Sequence, residues 1–218
     1  MKLLKKGSWK HRIRGFTVWD LVIVLATAVI LIVLFLTPAH GGRGNATRIS
    51  CMNNLRQVGF AFQVWATDHG DKFPMAVSTN QGGSLEFVGT GEVLPHYLAI
   101  FNQLNNPKIL TCPADSRKRA TAFATLRNKN ISYFVGLDAV EPQMILLGDR
   151  NITTNGRLIS GTLTLTLNSA NSVSWTRDLH GQNGNIVLLD GSAQQATVSA
   201  LKHQIASSTN FPARLAIP

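Results

Sequence analysis

Two cysteines, Cys51 and Cys112, are the first residues whose chemistry the sequence offers. The chain has no other cysteine, so each thiol has one available partner. A bridge between them would close a loop of about 60 residues and stabilise the fold by roughly 4 kcal/mol in the chain-entropy description of disulfides. The alternative is two separate buried thiols. We expect the disulfide, provided that these residues lie in a compartment that permits one.

A catalytic constellation is harder to assemble. Asp178 and His180 with one of the serines would supply the residue types of a Ser-His-Asp triad, but the sequence has no Gly-x-Ser-x-Gly elbow. An Asp-x-His spacing is common by chance, and His180 precedes a glycine, so we interpret it as a loop residue. Walker A, zinc and dinucleotide-binding motifs are also absent from the sequence. We therefore expect a protein that is not an enzyme.

The longest apolar segment lies near the N-terminus. Residues 21–36 contain no charged side chain, and Thr27 is their single polar interruption. A helix over residues 16–37 would be roughly 33 Å long, which matches a hydrocarbon core of about 30 Å. The sequence therefore predicts one membrane-spanning helix, in which Asp20 is energetically costly.

Charge is distributed unevenly around this segment. Six of the 21 basic residues precede residue 15, whereas all 11 acidic residues follow it. By the positive-inside rule, the basic leader would stay in the cytoplasm and the rest of the chain behind the helix would be periplasmic. Because most of the net charge of +10 belongs to this leader, we expect no nucleic-acid partner.

A short motif of defined residues and spacing lies at the start of the apolar segment. Arg14-Gly15-Phe16-Thr17, followed after two residues by Asp20, resembles the N-terminal processing signal of type IV prepilins and type II secretion pseudopilins. The resemblance implies that a prepilin peptidase cleaves between Gly15 and Phe16, and that Phe16 is then N-methylated. It also implies that Asp20, which replaces the usual glutamate, pairs with the new amino group of a neighbouring subunit, because each charge is costly alone in apolar surroundings.

Two further blocks, residues 48–74 and 180–192, are similar to a bacterial pseudopilin-like subfamily. Pseudopilins of type II secretion often bind calcium in a C-terminal loop, so the resemblance makes Asp149, Asp178 and Asp190 weak calcium candidates. Calcium takes six to eight oxygen ligands, and no dense acidic loop in this sequence supplies them. We therefore expect no cofactor.

An amphipathic helix is expected behind the apolar segment. Residues 38–44 contain one proline and three glycines, which predict a joint that interrupts the helix. From residue 45 to about residue 69, apolar side chains recur at helical spacing. The recurring apolar residues are Ile49, Met52, Leu55, Val58, Phe62 and Trp65. We expect the aromatic residues Phe60, Phe62 and Trp65 to pack in a core.

The second half of the chain predicts β-structure. Apolar or alternating segments indicate strands at residues 131–135, 144–147 and 163–167. Residues 186–197 predict a hairpin around an Asp-Gly turn, and residues 198–205 predict a last short helix. The fold class is therefore α+β.

The remaining segments lack a clear pattern. We expect the basic run at residues 117–119 to be a solvated loop, and residues 207–218 to be a tail without regular structure. The whole chain is then organised as four segments. They are a leader at 1–15 that is removed, a transmembrane and assembly helix at 16–37, a joint at 38–44, and a pilin-like head at 45–218 in which a long helix packs on a small antiparallel sheet.

The resemblance implies a structural subunit of a type II secretion pseudopilus or a type IV pilus-like filament. Its partners would be the prepilin peptidase, other pilin or pseudopilin subunits, and the inner membrane, which it would cross once. The alternative is a periplasmic binding or sensor domain that uses an uncleaved signal anchor to hold it in the membrane.

Overall fold

The structure is a computed structural model that describes residues 15–36, 42–165, 172–207 and 213–218. The chain divides into two units, residues 1–43 and residues 44–218, which are described in turn. The first unit contains helix α1 (Val18–Leu36), preceded by Gly15, Phe16 and Thr17.

The expected single-pass location in the inner membrane is wrong. Within the described ranges, no helix combines the length and the apolar character that crossing a membrane requires. α1 begins at Val18 rather than at Phe16, and Asp20 lies in its first turn. The uncharged residues behind Asp20, 21–36, rise about 24 Å as a helix, which is less than the roughly 30 Å of a hydrocarbon core.

The next helix, α2 (Gly42–Thr67), begins earlier than the sequence predicts. Residues 42–44 of the predicted joint are helical, while residues 37–41 lie outside the described residues. The end of α2 is as predicted, because Gly70 has a φ of +67° and the amide of Asp71 donates to the carbonyl of Ala66 at 2.9 Å. A glycine in this left-handed conformation is the usual way to stop a helix.

The described part of the second unit also contains two short α-helices, several 3-10 helices and nine strands. The helices are α3 (Leu94–Ala99) and α4 (Val198–Ser207). The strands are β1 (Tyr133–Gly136), β2 (Ile145–Asp149), β3 (Ile152–Thr154), β4 (Arg157–Leu158), β5 (Gly161–Leu165), β6 (Val173–Trp175), β7 (Gly184–Leu188), β8 (Ala193–Ala196) and β9 (Ala213–Ile217).

Six of these strands form one antiparallel sheet in the order β5-β9-β1-β2-β7-β8, and the other three form a second sheet in the order β4-β3-β6. β7 and β8 form the predicted hairpin, in which Gly191 has a φ of +86°. The predicted last helix is confirmed as α4, whereas residues 166 and 167 of the predicted third strand lie outside the described residues. The α+β class with a helix packed on antiparallel strands is therefore confirmed.

β9 corrects the prediction that residues 207–218 form a tail. It lies between β5 and β1, where Ala216 pairs with Val135 on one side and with Thr162 on the other. Three consecutive apolar residues of β9, Leu215 to Ile217, are buried. Such a run is too short to show a period, so the strand is recognised from its two neighbours and not from its own sequence.

α2 covers one face of the six-stranded sheet. Leu55, Val58 and Phe62 share a core with Leu147 and Val187 of the sheet. The close approach depends on Gly59, because a Cβ added there would lie 2.7 Å from Val187 Cγ1. The opposite face of the sheet has a second core, which includes Phe134, Ile186, Leu215, Trp175 of β6 and Leu201 of α4.

The outward face of α2 corrects one part of the predicted core. Phe62 and Trp65 are buried, but Phe60 is 65% exposed and Ile49 is 57% exposed. The 3.6-residue period places Phe60 on the same side of the helix as Ile49 and Arg56, away from the sheet. Phe60 is therefore a surface residue of the head.

A buried histidine in α3 predicts acid sensitivity. His96 is fully buried beside Ser84, with Nδ1 2.7 Å from Ser84 Oγ, and burial lowers the pKa of His96 to about 4. Between pH about 6.5 and 4 the unfolded chain therefore binds a proton that the folded chain does not, so stability falls as the pH falls. Replacing His96→Asn should reduce this loss in urea-unfolding midpoints measured from pH 8 to pH 4.

The matched control is His203→Asn, at an exposed position of α4. It should retain the pH dependence of the wild-type protein. Equal pH dependence in the His96 and His203 variants would contradict the assignment of this loss to His96.

Candidate functional site

The predicted cleavage site lies at an exposed position. Gly15 has no neighbouring atom within 4 Å of a Cβ built on it, and Phe16 is 78% exposed. The bond between them therefore precedes the first turn of α1, and both of its residues are exposed. Val18 and Trp19 are as exposed as Phe16, so the start of α1 presents large apolar side chains to its surroundings.

Asp20 has a local partner that sequence reasoning missed. Its Oδ2 accepts hydrogen bonds from the backbone nitrogen and from Oγ1 of Thr17, at 2.9 and 2.8 Å. In return, the amide of Asp20 donates to Thr17 Oγ1 at 3.4 Å, so Thr17-x-x-Asp20 closes the helix start reciprocally, as in a capping box. These bonds from Thr17 hold the pKa of Asp20 below its usual value. The carboxylate is therefore charged and exposed at the beginning of α1.

The apolar side chains of α1 are half-exposed on every side of the helix. Five consecutive residues, 21–25, are each between 49% and 59% exposed, and five consecutive positions of a helix point in all directions. A helix that is apolar all round needs apolar surface around it. α1 is thus suited to assembly with several other apolar elements.

The head contains the disulfide between Cys51 of α2 and Cys112. Both cysteines are fully buried, and their Cα atoms are 4.9 Å apart. Cys112 lies just behind the short 3-10 helix Pro107–Leu110, so the bridge ties α2 to the loop that leads into the sheet. This is the pairing that we expected in preference to two separate thiols.

His180 adjoins the disulfide, in contrast to its interpretation as an ordinary loop residue. It lies in a turn but is only 5% exposed, and its Nε2 is 3.5 Å from Cys112 Sγ. Arg48 of α2 donates from Nη2 to the carbonyl oxygen of His180 at 2.6 Å. Burial lowers the pKa of His180 to about 4, so its ring is neutral at pH 7.

Asp149, the last residue of β2, is the carboxylate that faces His180. Its Oδ2 is 3.5 Å from His180 Nε2 and accepts hydrogen bonds from the backbone nitrogen and Nδ2 of Asn185, at 2.7 and 3.0 Å. Burial raises the pKa of Asp149 to about 7, and the bonds from Asn185 act in the opposite direction. Its Oδ1 has no hydrogen-bond partner among the described residues.

The other predicted acidic candidates lie apart from this cluster. The Oδ1 of Asp190 accepts from the amide of Ser192 at 2.8 Å and stabilises the hairpin turn, and Asp178 is exposed. The described residues bring together Cys51, Cys112 and His180 as a group of possible metal ligands, and no such group includes two of the three calcium candidates. A catalytic triad built on Asp178 would need the carboxylate of Asp178 beside the ring of His180. The carboxylate found there belongs to Asp149.

A groove of about 580 Å³ opens on another side of the head. Its walls include Trp65, Phe87, Leu98 and Phe101, which are mainly apolar. The ring of His69 stacks on Trp65, with centroids 3.5 Å apart and planes at 5°. The groove has the size of a small-molecule site, but it holds few polar groups that would select a ligand.

Comparisons with models of protein families, with curated proteins and with solved structures found no match. The N-terminal segment and the buried cluster around His180 are therefore the two features of the chain whose chemistry points to a role.

Proposed function

We propose that this chain is a pilin-like structural subunit of a filament of the type II secretion pseudopilus or type IV pilus kind. In this proposal a prepilin peptidase removes residues 1–15, α1 is the assembly element, and residues 45–218 form the head. The observation that carries the proposal is the exposure of the apolar side chains of α1 on every side. The Arg14 to Asp20 pattern supports the same function.

Packing of α1 against the same helix of other subunits supplies the driving force. Burying a Val, Leu or Ile side chain completely is worth roughly 1.5–3 kcal/mol, so each half-exposed side chain of α1 contributes about half of that on assembly. Several such contacts offset the cost of ordering two subunits. Apolar packing alone does not set the register of one helix against the next.

Asp20 would set that register. Cleavage after Gly15 leaves a positively charged amino group on Phe16, one turn before Asp20. The amino group of one subunit and the exposed carboxylate of its neighbour each lose water when the helices pack, and pairing compensates for that loss. A subunit shifted along the filament axis would bury both charges without a partner, so the pair favours one register.

The test uses the full chain in its own cells with three variants. Wild-type protein should show a mass that lacks residues 1–15 and should form cross-linked oligomers. Gly15→Leu should retain the leader and should not assemble. Asp20→Ala should lose the leader normally but form at least about tenfold fewer oligomers, because losing 1.4 kcal/mol of pairing already changes an equilibrium tenfold.

Asp68→Ala is the matched control, because Asp68 is an exposed acidic residue of the head. It should be processed and assembled like the wild type. The proposal fails if the mature wild-type protein retains its leader, or if Asp20→Ala assembles as well as Asp68→Ala.

A further inference from the structure

Four residues of three metal-ligand types, cysteine, histidine and aspartate, lie near one another inside the head. The ligand atoms of Cys51, Cys112 and His180 all lie within 4.8 Å of one another. His180 Nε2 is 3.5 Å from Cys112 Sγ and also 3.5 Å from Asp149 Oδ2. The cysteines and Asp149 are fully buried, and His180 is nearly so.

Two of these separations match those of a tetrahedral zinc site, whereas Asp149 lies outside the group of ligand atoms that are all within 4.8 Å of one another. Zinc binds sulfur at about 2.3 Å and nitrogen or oxygen at about 2.0–2.2 Å, so neighbouring ligand atoms lie roughly 3.3–3.8 Å apart. Both distances from His180 Nε2 fall within this range. The two sulfur atoms are too close, because they are covalently bonded to each other.

We propose that reduction of the Cys51–Cys112 disulfide converts this cluster into a zinc site with Cys51, Cys112, His180 and Asp149 as ligands. A dithiol reductant supplies two electrons and two protons, becomes a disulfide itself, and leaves two thiols in the head. Zinc then binds both sulfurs as thiolates and releases the two thiol protons to solvent. The same two cysteines thus close the head by a covalent bond or through a metal ion.

The surroundings of the cluster favour this chemistry. Two thiolates with an imidazole and a carboxylate form a donor set that zinc accepts at four-coordinate sites. Asn185 fixes the carboxylate of Asp149 with two hydrogen bonds, and Arg48 fixes the backbone of His180. Such outer contacts orient metal ligands before the ion arrives. Asp149 Oδ1 is buried without a hydrogen-bond partner among the described residues, so this oxygen remains available to an ion.

The inference concerns the head alone and does not depend on assembly through α1. Its test uses the full chain, reduced with a phosphine, freed of metal with a chelator, and titrated with zinc against a chromophoric competitor. The reduced protein should bind one zinc ion per chain, and the disulfide-bonded protein should bind none at this cluster. Zinc should also raise the melting temperature of the reduced protein, as a ligand of the folded state does.

A reduced chain that had unfolded would still offer two thiolates, so the histidine is the decisive residue. His180→Ala should weaken zinc binding by more than the roughly 10–100-fold that loss of an outer contact costs, whereas His203→Ala should bind like the wild type. Cobalt in place of zinc should show the absorption of a tetrahedral thiolate site in the wild type and lose it in His180→Ala. Equal zinc affinity in the wild type and His180→Ala, or no rise in melting temperature with zinc, would overturn the proposal.

Discussion

Replacing Cys51 and Cys112 together by alanine should lower the free energy of unfolding by roughly 4 kcal/mol. The disulfide joins residues that are 61 positions apart, so its loss gives the unfolded chain a large gain in conformational freedom. Both cysteines are fully buried, and small apolar replacements leave no buried thiol that could react. The measurement is the urea-unfolding midpoint of each protein in metal-free buffer without reductant.

Wild-type protein that has been reduced and kept free of metal provides the comparison. It should unfold near the midpoint of the double-alanine variant, because both lack the same cross-link. If the variant were as stable as the disulfide-bonded wild type, the bridge would contribute nothing to the stability of the head.

The elements that the sequence predicts well are those that local interactions determine. The β7–β8 hairpin is an example, because Gly191 adopts the positive φ of the turn and Asp190 bonds to the amide of Ser192. The end of α2 is another, since Gly70 and the contact between Asp71 and Ala66 lie within one turn of chain. In both cases the residues that decide the structure are neighbours in sequence.

The buried cluster could not be predicted in this way. His180 meets Asp149 and Cys112 because β2, β7 and α2 pack together, and no sequence spacing records that contact. β9 was missed for the same reason, since its pairing with β5 and β1 joins distant parts of the chain. In α1, by contrast, the apolar composition alone indicates a helix. It does not indicate the hydrogen bonds that Thr17 donates to Asp20 Oδ2.

Charged residues gave the clearest error in the head. In the basic run at residues 117–119, Lys118 and Arg119 are exposed as predicted. Arg117 is instead partly buried and donates to the backbone carbonyls of Asn128, Ile131 and Pro218. It thereby holds the C-terminus, behind β9, against the loop that precedes β1. The amide of Arg117 also donates to Asp115 Oδ1 at 3.2 Å. Asp115 belongs in turn to the more buried of the two arginine–aspartate pairs that the described residues form.

That pair joins Asp115 to Arg150. The side chain of Asp115 is 0% exposed and that of Arg150 is 13% exposed. Asp115 accepts from Arg150 Nε at 2.7 Å and Nη2 at 2.8 Å, and from Ser132 Oγ at 2.7 Å. Burial raises the pKa of Asp115, but the hydrogen bonds from Arg150 and Ser132 outweigh this effect and lower it overall. The pair therefore stabilises the head at neutral pH, and this contribution is lost as the pH falls through the lowered pKa.

Asp115→Ala should consequently lower the free energy of unfolding by about 3–5 kcal/mol, because it leaves the Arg150 guanidinium largely buried without its carboxylate. The chain contains a matched control in Asp138, which binds Arg214 through two oxygens at the surface, with side chains 24% and 40% exposed. Water replaces a lost partner there, so Asp138→Ala should cost only about 1 kcal/mol. Both variants remove an aspartate that binds an arginine side chain and a backbone amide. They differ in burial and in the additional bond from Ser132 Oγ to Asp115. Urea-unfolding midpoints at pH 7 measure the contrast. An equal decrease in the free energy of unfolding of the two variants would show that burial does not determine how much the Asp115–Arg150 pair stabilises the head.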